Sequence, residues 1–393
     1  MKILVVAPTP FFSNRGTHIR ILEESLALEK LGHKITIATY HIGGDIKNEV
    51  NTSIDIRRIR RWLFWYKKLE AGPDWQKIIL DLLLIKKVFF LTRKKNPDII
   101  HCHLHEGVLI GWIVQKILFW KKIKIVADFH GSLTKEMVSH NYLGAGILKK
   151  IFFWIEKFID NLGDATISSS EENTREIAKM KKNGIVETVL DGVNLDHYSQ
   201  KPTREELKKE LELPENKTIL TYTGALVMNK GISYLLEAIP NVIKTNPNTF
   251  FIIAGFPIEN AQNFVKEKNL EKNVRLIHPL DYFKLPEILL ASDAGIDPKD
   301  SSTGQASGKI LQYMGAGLPV ICFDRKNNRD YLQEGGIYAQ EISANSLKEK
   351  ILEFSNNIES FKSLGEINKQ KAKNLSWDIS AKKIQTIYEK ITI

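Results

Sequence analysis

Two stretches in the second half of the chain combine small residues, backbone amides and a lysine in the way that phosphate binding requires. TGALVMNKG (223–231) follows an apolar run and opens a helical one. Lys230 and Gly231 therefore set an ammonium and free amides at a helix N-terminus, beside Gly224 at the end of the apolar run. In SSTGQASGKILQYMGAGLPVI (301–321), Ser301, Ser302, Gly304, Ser307 and Gly308 form an amide-rich loop ahead of a helix over 308–315. Lys309 stands in the first turn of that helix, where its charge opposes the helix dipole unless an anion is bound. Gln312 lies one turn further on. An amide there can accept from and donate to the adjacent hydroxyls of a ribose, or sit buried and satisfied by backbone.

The first half offers imidazoles. His130-Gly131 ends the apolar run KIVADFH (124–130), and a glycine beside an imidazole lets a polar ligand approach closely. Gly16 precedes a helix and can turn amides toward an anion, although the GxGxxG spacing of dinucleotide sites is absent. His101, His103 and His105 alternate, so a strand would point them to one face. Metal binding and structural hydrogen bonding are both open for them. No carboxylate or cysteine stands at ligand spacing, so no metal is expected. Cys102 and Cys322 lie far apart in apolar runs and read as buried free thiols.

These residues follow short apolar runs, and the runs alternate with helical stretches. Strands are expected over 2–8, 33–40, 97–103, 124–130 and 164–170, then over 218–224, 249–255, 274–279, 293–298 and 319–324. Such alternation specifies α/β architecture with parallel sheets, whose ligands sit beyond the carboxyl ends of the strands. Around 191–217 the pattern breaks into a polar stretch and a charged helix, and then it restarts. Two similar domains are expected: 1–195, and 196–375. The segment SWDISAKKIQTIYEKI forms a terminal helix within 376–393. The opening MKILVVAPTP reads as a buried strand broken by Pro8 and Pro10, not as a leader, and no window reaches about 18 uncharged apolar residues.

The formal net charge is +10. Residues 57–125 carry 16 basic and 5 acidic side chains, a balance of +11, so one region accounts for the whole excess. RIRRWLFWYKKLE (58–70), KILFWKKIKI (116–125) and ILKKIFFWIEKFI (147–159) interleave cations with Trp, Phe and Ile. An anionic membrane surface fits this mixture, because cations meet headgroups while aromatics settle at the interface. Packing with snorkelled cations is the plain alternative. No recognition motif accompanies the charge, so nucleic acid is not expected.

In these residues the chain resembles the GT-B nucleotide-sugar glycosyltransferases, glycosyltransferase family 4 in particular. RGTHIRILEESLALEKLGHKITIAT, PDIIHCHLH, ADFHG, GDATISSSE, LDGVNLDHY, YTGALVMNKGISYLLEAI and GKILQYMGAGLPVI are similar to that family's landmarks, in the same order along nearly the whole chain. The resemblance implies two Rossmann-like domains with a cleft between them and a last helix crossing back to the N-terminal domain. The N-terminal domain would face acceptor and membrane, and the C-terminal domain would bind the nucleotide sugar. It implies retaining transfer, without metal or other cofactor, from a UDP- or GDP-linked sugar to a glycan or glycolipid acceptor. The enzyme would be cytoplasmic and peripheral at the inner face of the membrane.

By position, Gly16, Gly224, Gly304 and Gly308 would approach the donor, with Lys230 and Lys309 beside its diphosphate. His130 would sit beside the transferred sugar, and Gln312 takes the place of the glutamate that holds the ribose. His130 and Lys230 are the catalytic candidates. The chain departs from the family at Ala225, where an arginine is usual, at Gly304, where the first of two glutamates would fall, and at Gln312. Lys309 would compensate for the missing arginine. A non-catalytic relative that binds nucleotide sugar, or a sugar-nucleotide epimerase, are the other readings. The epimerase needs acid and base carboxylates to which the sequence does not point.

Overall fold

The computed structural model describes residues 1–69, 72, 74–139, 142–144, 146–199, 201–300 and 308–392. The chain forms two compact units. The first is built from Met1–Asp191 and Trp377–Ile393, and the second from Gly192–Thr303 and Ser307–Ser376.

The first unit holds strands β1 (Lys2–Ala7), β2 (Lys34–Thr39), β3 (Asp55–Arg58), β4 (Ile99–His103), β5 (Lys124–Phe129), β6 (Ala165–Ser168) and β7 (Ile185–Thr188). They make one parallel sheet in the order β3-β2-β1-β4-β5-β6-β7. The second unit holds β8 (Thr218–Ala225), β9 (Thr249–Phe256), β10 (Val274–Ile277), β11 (Ala294–Asp297), β12 (Val320–Phe323) and β13 (Gly336–Ala339). Its parallel sheet runs β10-β9-β8-β11-β12-β13. Both sheets reverse direction beside their first strand, at β1/β4 and at β8/β11. Such a switch point opens a crevice at the carboxyl ends of the strands.

The central strands are buried along nearly their whole length. Helices cover both faces of a parallel sheet, so its strands read as unbroken apolar runs, and that is why they were legible. Three short outer strands were not expected. β3 has the sequence DIRR, which carries charge on an edge where charge discourages further pairing. β7 and β13 are four-residue strands at the other sheet edges.

The last helix, Trp377–Thr392, belongs to the first unit, where it buries Trp377, Ala381, Ile384, Ile387 and Tyr388 against the helix Gly16–Lys30. The Ser380 hydroxyl donates to the carbonyl of Leu190 at 2.9 Å. In the second unit a Cβ on Gly255 would lie 1.8 Å from the carbonyl oxygen of Gly224. Glycine at 255 thus lets the ends of β8 and β9 close on each other.

Candidate functional site

In the second unit the helix Gly308–Gly315 is anchored by burial of Ile310, Leu311, Tyr313 and Met314. The Tyr313 hydroxyl accepts from the amide of Thr223 at 3.0 Å and donates to the carbonyl of Ile296 at 3.3 Å, so one side chain ties the ends of β8 and β11. No Cβ would fit at Gly295, because it would meet the Tyr313 ring at 2.4 Å. Beside this joint lies Asp297, fully buried, whose carboxylate oxygens find no hydrogen-bond donor among the described residues. Its neighbour is the Lys309 ammonium, 3.4 Å away and 3.9 Å above the centre of the Tyr222 ring. Burial opposes charge on Lys309, but Tyr222 and Asp297 outweigh it and raise its pKa. The Lys309 stem also lies 3.4 Å from where a Cβ on Gly224 would be.

Three more cations stand at the same strand ends. Gly231 has φ of 75°, and a Cβ on it would fall 1.7 Å from the carbonyl oxygen of Pro298. Only glycine lets the turn carrying Lys230 close on Pro298 and Lys299. Lys299 is buried, and its carbonyl accepts from Arg325 at 2.9 Å. Burial, then Lys230, lowers the Lys299 pKa to about 8, with Arg325 and Lys309 adding to the effect. Lys230, Lys309 and Arg325 are thus all near enough to Lys299 to oppose its charge, while Asp297 favours it. Asp297 and Lys299 sit in DPKD, a stretch with the look of an ordinary turn, and sequence reasoning passed them over.

Gln312 is buried, and its side-chain oxygen accepts from the Tyr198 hydroxyl at 2.7 Å. The acceptor is therefore committed inside the unit, and toward a ligand the residue has its amide nitrogen to offer. Gly308 opens its helix with nothing within 4 Å of a built Cβ. Gly304 lies outside the described residues.

In the first unit, Asp128 near the carboxyl end of β5 is fully buried and accepts two bonds from Arg20, each of 3.1 Å. Arg20 also donates to the carbonyl of Val189 and, at 2.6 Å, to Asp191. Burial opposes charge on Asp128, but Arg20 holds its pKa well below the usual carboxylate range. Burial, then Asp128, raises the pKa of Glu24, against the pull of Arg20. His101 and His103 stack with ring centres 4.7 Å apart, on one face of β4 as alternation requires. The strand ends at His103, and His105 turns instead into the helix Leu104–Ile117, 3.4 Å from Asp160. His130 reaches the cluster through its Nε2, 3.1 Å from Nδ1 of His103. Gly16 opens its helix with no cap from a side chain and no acidic residue in the first turn, and the space around it is open. Two residues on, His18 is buried, which lowers its pKa to about 4, with Arg15 adding to the effect.

Ligand atoms of Glu24, His101, His103 and Asp128 lie within 4.8 Å of one another, the one such group among the described residues. Arg20 already occupies both oxygens of Asp128 and supplies the positive charge that a cation would bring. The cluster is an ion-pair and imidazole network, and its residues do not fit a metal.

The basic segments divide. Arg58 donates to the carbonyls of Phe11, Ile42 and Gly44, and so closes a loop rather than facing solvent. The helix Ile147–Asp160 is inverted. It buries Glu156, Ile159 and Asp160, with Glu156 accepting from the amide of Thr134 at 3.0 Å. Ile147, Leu148, Ile151, Phe153, Trp154 and Phe158 are exposed, Trp154 to 67% and Ile147 to 79%.

Two family models match the chain: Glycosyltransferase Family 4 over residues 15–197 and Glycosyl transferases group 1 over residues 203–371. The chain belongs to the family 4-type glycosyltransferases with the GT-B fold. Among solved structures, this family 4-type chain is similar to sucrose-phosphate synthase from Thermosynechococcus elongatus, with a TM-score of 0.76, 17% identity, and coverage of 99% of this chain and 98% of that one. It is 28% identical to spore coat protein SA of Bacillus subtilis over 52% of this chain and 58% of that protein. It is 24% identical to the Escherichia coli UDP-Gal:alpha-D-GlcNAc-diphosphoundecaprenol alpha-1,3-galactosyltransferase over 64% of each. The match therefore spans about three-fifths of each of these two relatives.

The hydrogen bond from Tyr198 yields a test. Gln312→Ala removes its acceptor and should lower stability by about 1 kcal/mol, the net worth of one hydrogen bond, whereas Gln312→Glu keeps an acceptor and should melt close to wild type. Thermal unfolding of the three proteins reads this. Equal melting temperatures for wild type and Gln312→Ala would mean that the bond contributes nothing.

Proposed function

We propose that this family 4-type chain is a retaining glycosyltransferase that moves a sugar from a nucleotide donor to a lipid-linked or envelope glycan acceptor at a membrane surface. The observation that carries the donor half is the gathering of Lys230, Lys299, Lys309 and Arg325 at the carboxyl ends of β8, β11 and β12. A nucleoside diphosphate carries the negative charge that suits such a cluster of cations. Glycines at 224, 231 and 308 let backbone amides reach it, and the helices opening at Ile232 and Gly308 add their dipoles. Departure of the diphosphate builds charge on its oxygens, and preorganised cations stabilise that charge most where water is scarce. Lys230 would contact the diphosphate, and no metal is needed for this role. His130 would donate a hydrogen bond to a hydroxyl of the transferred sugar. The Escherichia coli relative is named for a UDP-sugar donor and a diphosphoundecaprenol acceptor, which supports both the donor class and a lipid-linked acceptor.

The helix Ile147–Asp160 carries the acceptor half. A helix that buries its acids and exposes Ile, Phe and Trp faces an apolar medium, and Lys149, Lys150 and Lys157 suit anionic headgroups. No helix among the described residues is long and apolar enough to cross a membrane. The proposed location is thus peripheral, at the cytoplasmic face, with roles in polysaccharide or glycolipid assembly.

Calorimetric titration with UDP and GDP tests the donor site. Lys230→Ala should weaken the nucleotide that binds by about 1.5–3 kcal/mol, the range for a hydrogen bond to a charged group. Lys299 gives a pH signature. It is charged below its pKa of about 8 and loses its proton above it. A bound diphosphate favours the charged form and raises that pKa, so affinity should fall and protons should be taken up as pH rises from 7 to 8.5. The fall amounts to roughly tenfold at most for each unit by which binding raises the pKa. Lys299→Arg keeps its charge and should flatten the decline. An unchanged affinity in Lys230→Ala, or the same decline in Lys299→Arg, would remove that lysine from the site.

Sedimentation with vesicles tests the membrane face. Wild type should pellet with phosphatidylglycerol-containing vesicles and release as salt rises, because surface charge is screened. Replacing Ile147 and Trp154 together by Gln should weaken binding more than about tenfold, from the apolar area lost, and leave the melting temperature unchanged. Equal binding by this variant would show that the helix does not face the membrane.

A further inference from the structure

The protonation of His130 can be deduced from its neighbours. His103 Nδ1 lies 3.0 Å from Oδ2 of Asp128 and 3.1 Å from Nε2 of His130. Asp128 is ionised, because Arg20 grips both of its oxygens. A carboxylate can only accept, so the nitrogen facing it carries a proton: His103 is the Nδ1–H form. Its other nitrogen is then bare. Consistently, Nε2 of His103 is buried and makes no hydrogen bond. Burial keeps the ring neutral by lowering its pKa to about 3.

The same Nδ1–H is what His130 meets. A nitrogen that carries a proton in the ring plane has no lone pair to offer. Nε2 of His130 stands 3.7 Å from Oδ2 of Asp128, beyond hydrogen-bond distance, so it accepts from His103 and shares the proton that also faces Asp128. The rings cross at 79° with centres 5.3 Å apart, which places the edge of one against the other. Neutral His130 then holds its proton on Nδ1. We propose that Asp128 and His103 are positioning residues that lock His130 as the Nδ1–H tautomer, so that the ring presents a hydrogen-bond donor to an oxygen of the ligand. That this ligand is a sugar hydroxyl rests on the function proposed above; the tautomer does not. Arg20 is the origin of the order. It fixes the charge on Asp128, which orients the proton of His103, which leaves one nitrogen of His130 free to donate.

The test is a two-bond proton–nitrogen correlation spectrum of protein labelled with 15N-histidine, at a pH where imidazoles are neutral and with no nucleotide sugar present. It therefore reads the tautomer whether or not the transferase reading holds. In wild type the Nδ1–H form of His130 should dominate by roughly tenfold or more, the ratio that a hydrogen bond within a charged network sustains. In His103→Gln, whose side chain can donate or accept, the spectrum should shift to a mixture of both forms while the melting temperature stays close to wild type. His103→Asn serves where His103→Gln does not fold. A wild-type His130 in the Nε2–H form overturns the proposal, and so does an unshifted Nδ1–H form in the folded variant.

Discussion

Like charges held close together repel, and at the strand ends of the second unit a buried carboxylate, Asp297, offsets part of that repulsion. At the effective dielectric of a protein surface, two unit charges 4 Å apart interact by about 4 kcal/mol. Asp297 offsets part of the repulsion among these cations, and even so burial and the neighbouring cations lower the Lys299 pKa to about 8. On the proposed function, an incoming diphosphate would relieve more of that repulsion.

The first unit solves the opposite problem with the same parts. There a carboxylate, Asp128, lies fully buried near the end of β5, and Arg20 neutralises it. His103, with its Nδ1 3.0 Å from Oδ2 of Asp128, takes up what remains of its hydrogen-bonding capacity, and burial lowers the pKa of both His101 and His103. The helix Trp377–Thr392 completes this wall, with the Tyr388 hydroxyl 2.5 Å from Nδ1 of His101 and the Trp377 ring under Arg20. In both units a largely apolar strand carries an acid at or near its carboxyl end, and that acid pairs with a buried cation.

Most of the fold was legible because parallel strands buried on both faces leave continuous apolar runs. β3 was not, since DIRR carries the charges of an edge strand, and Arg58 spends its charge on backbone carbonyls. Of the candidate site, Lys230-Gly231 and Gly308-Lys309 stand out in the sequence because glycine and lysine together mark a helix start. Asp297 and Lys299 were hidden because DPKD reads as a turn, and only the ends of β8 and β11 bring them to Lys230. Alternation placed His101 and His103 on one face, but it could not show that the strand stops before His105 or that Arg20 stands behind them. The segment 147–159 showed cations interleaved with Trp, Phe and Ile, and the sequence left both a membrane surface and internal packing open for it; burial of Glu156 and Asp160 beneath an exposed apolar side could not be read there.

The central claim is that the cations around Asp297 stabilise a departing diphosphate during transfer. Incubation of the protein with a panel of nucleotide sugars and membrane lipid extract, with mass-spectrometric detection of products, tests it most directly. The account predicts release of a nucleoside diphosphate in step with a glycosylated lipid or glycan, from one donor of the panel. Recovery of the donor with an epimerised sugar, or binding of a nucleotide sugar that is never consumed, would contradict it.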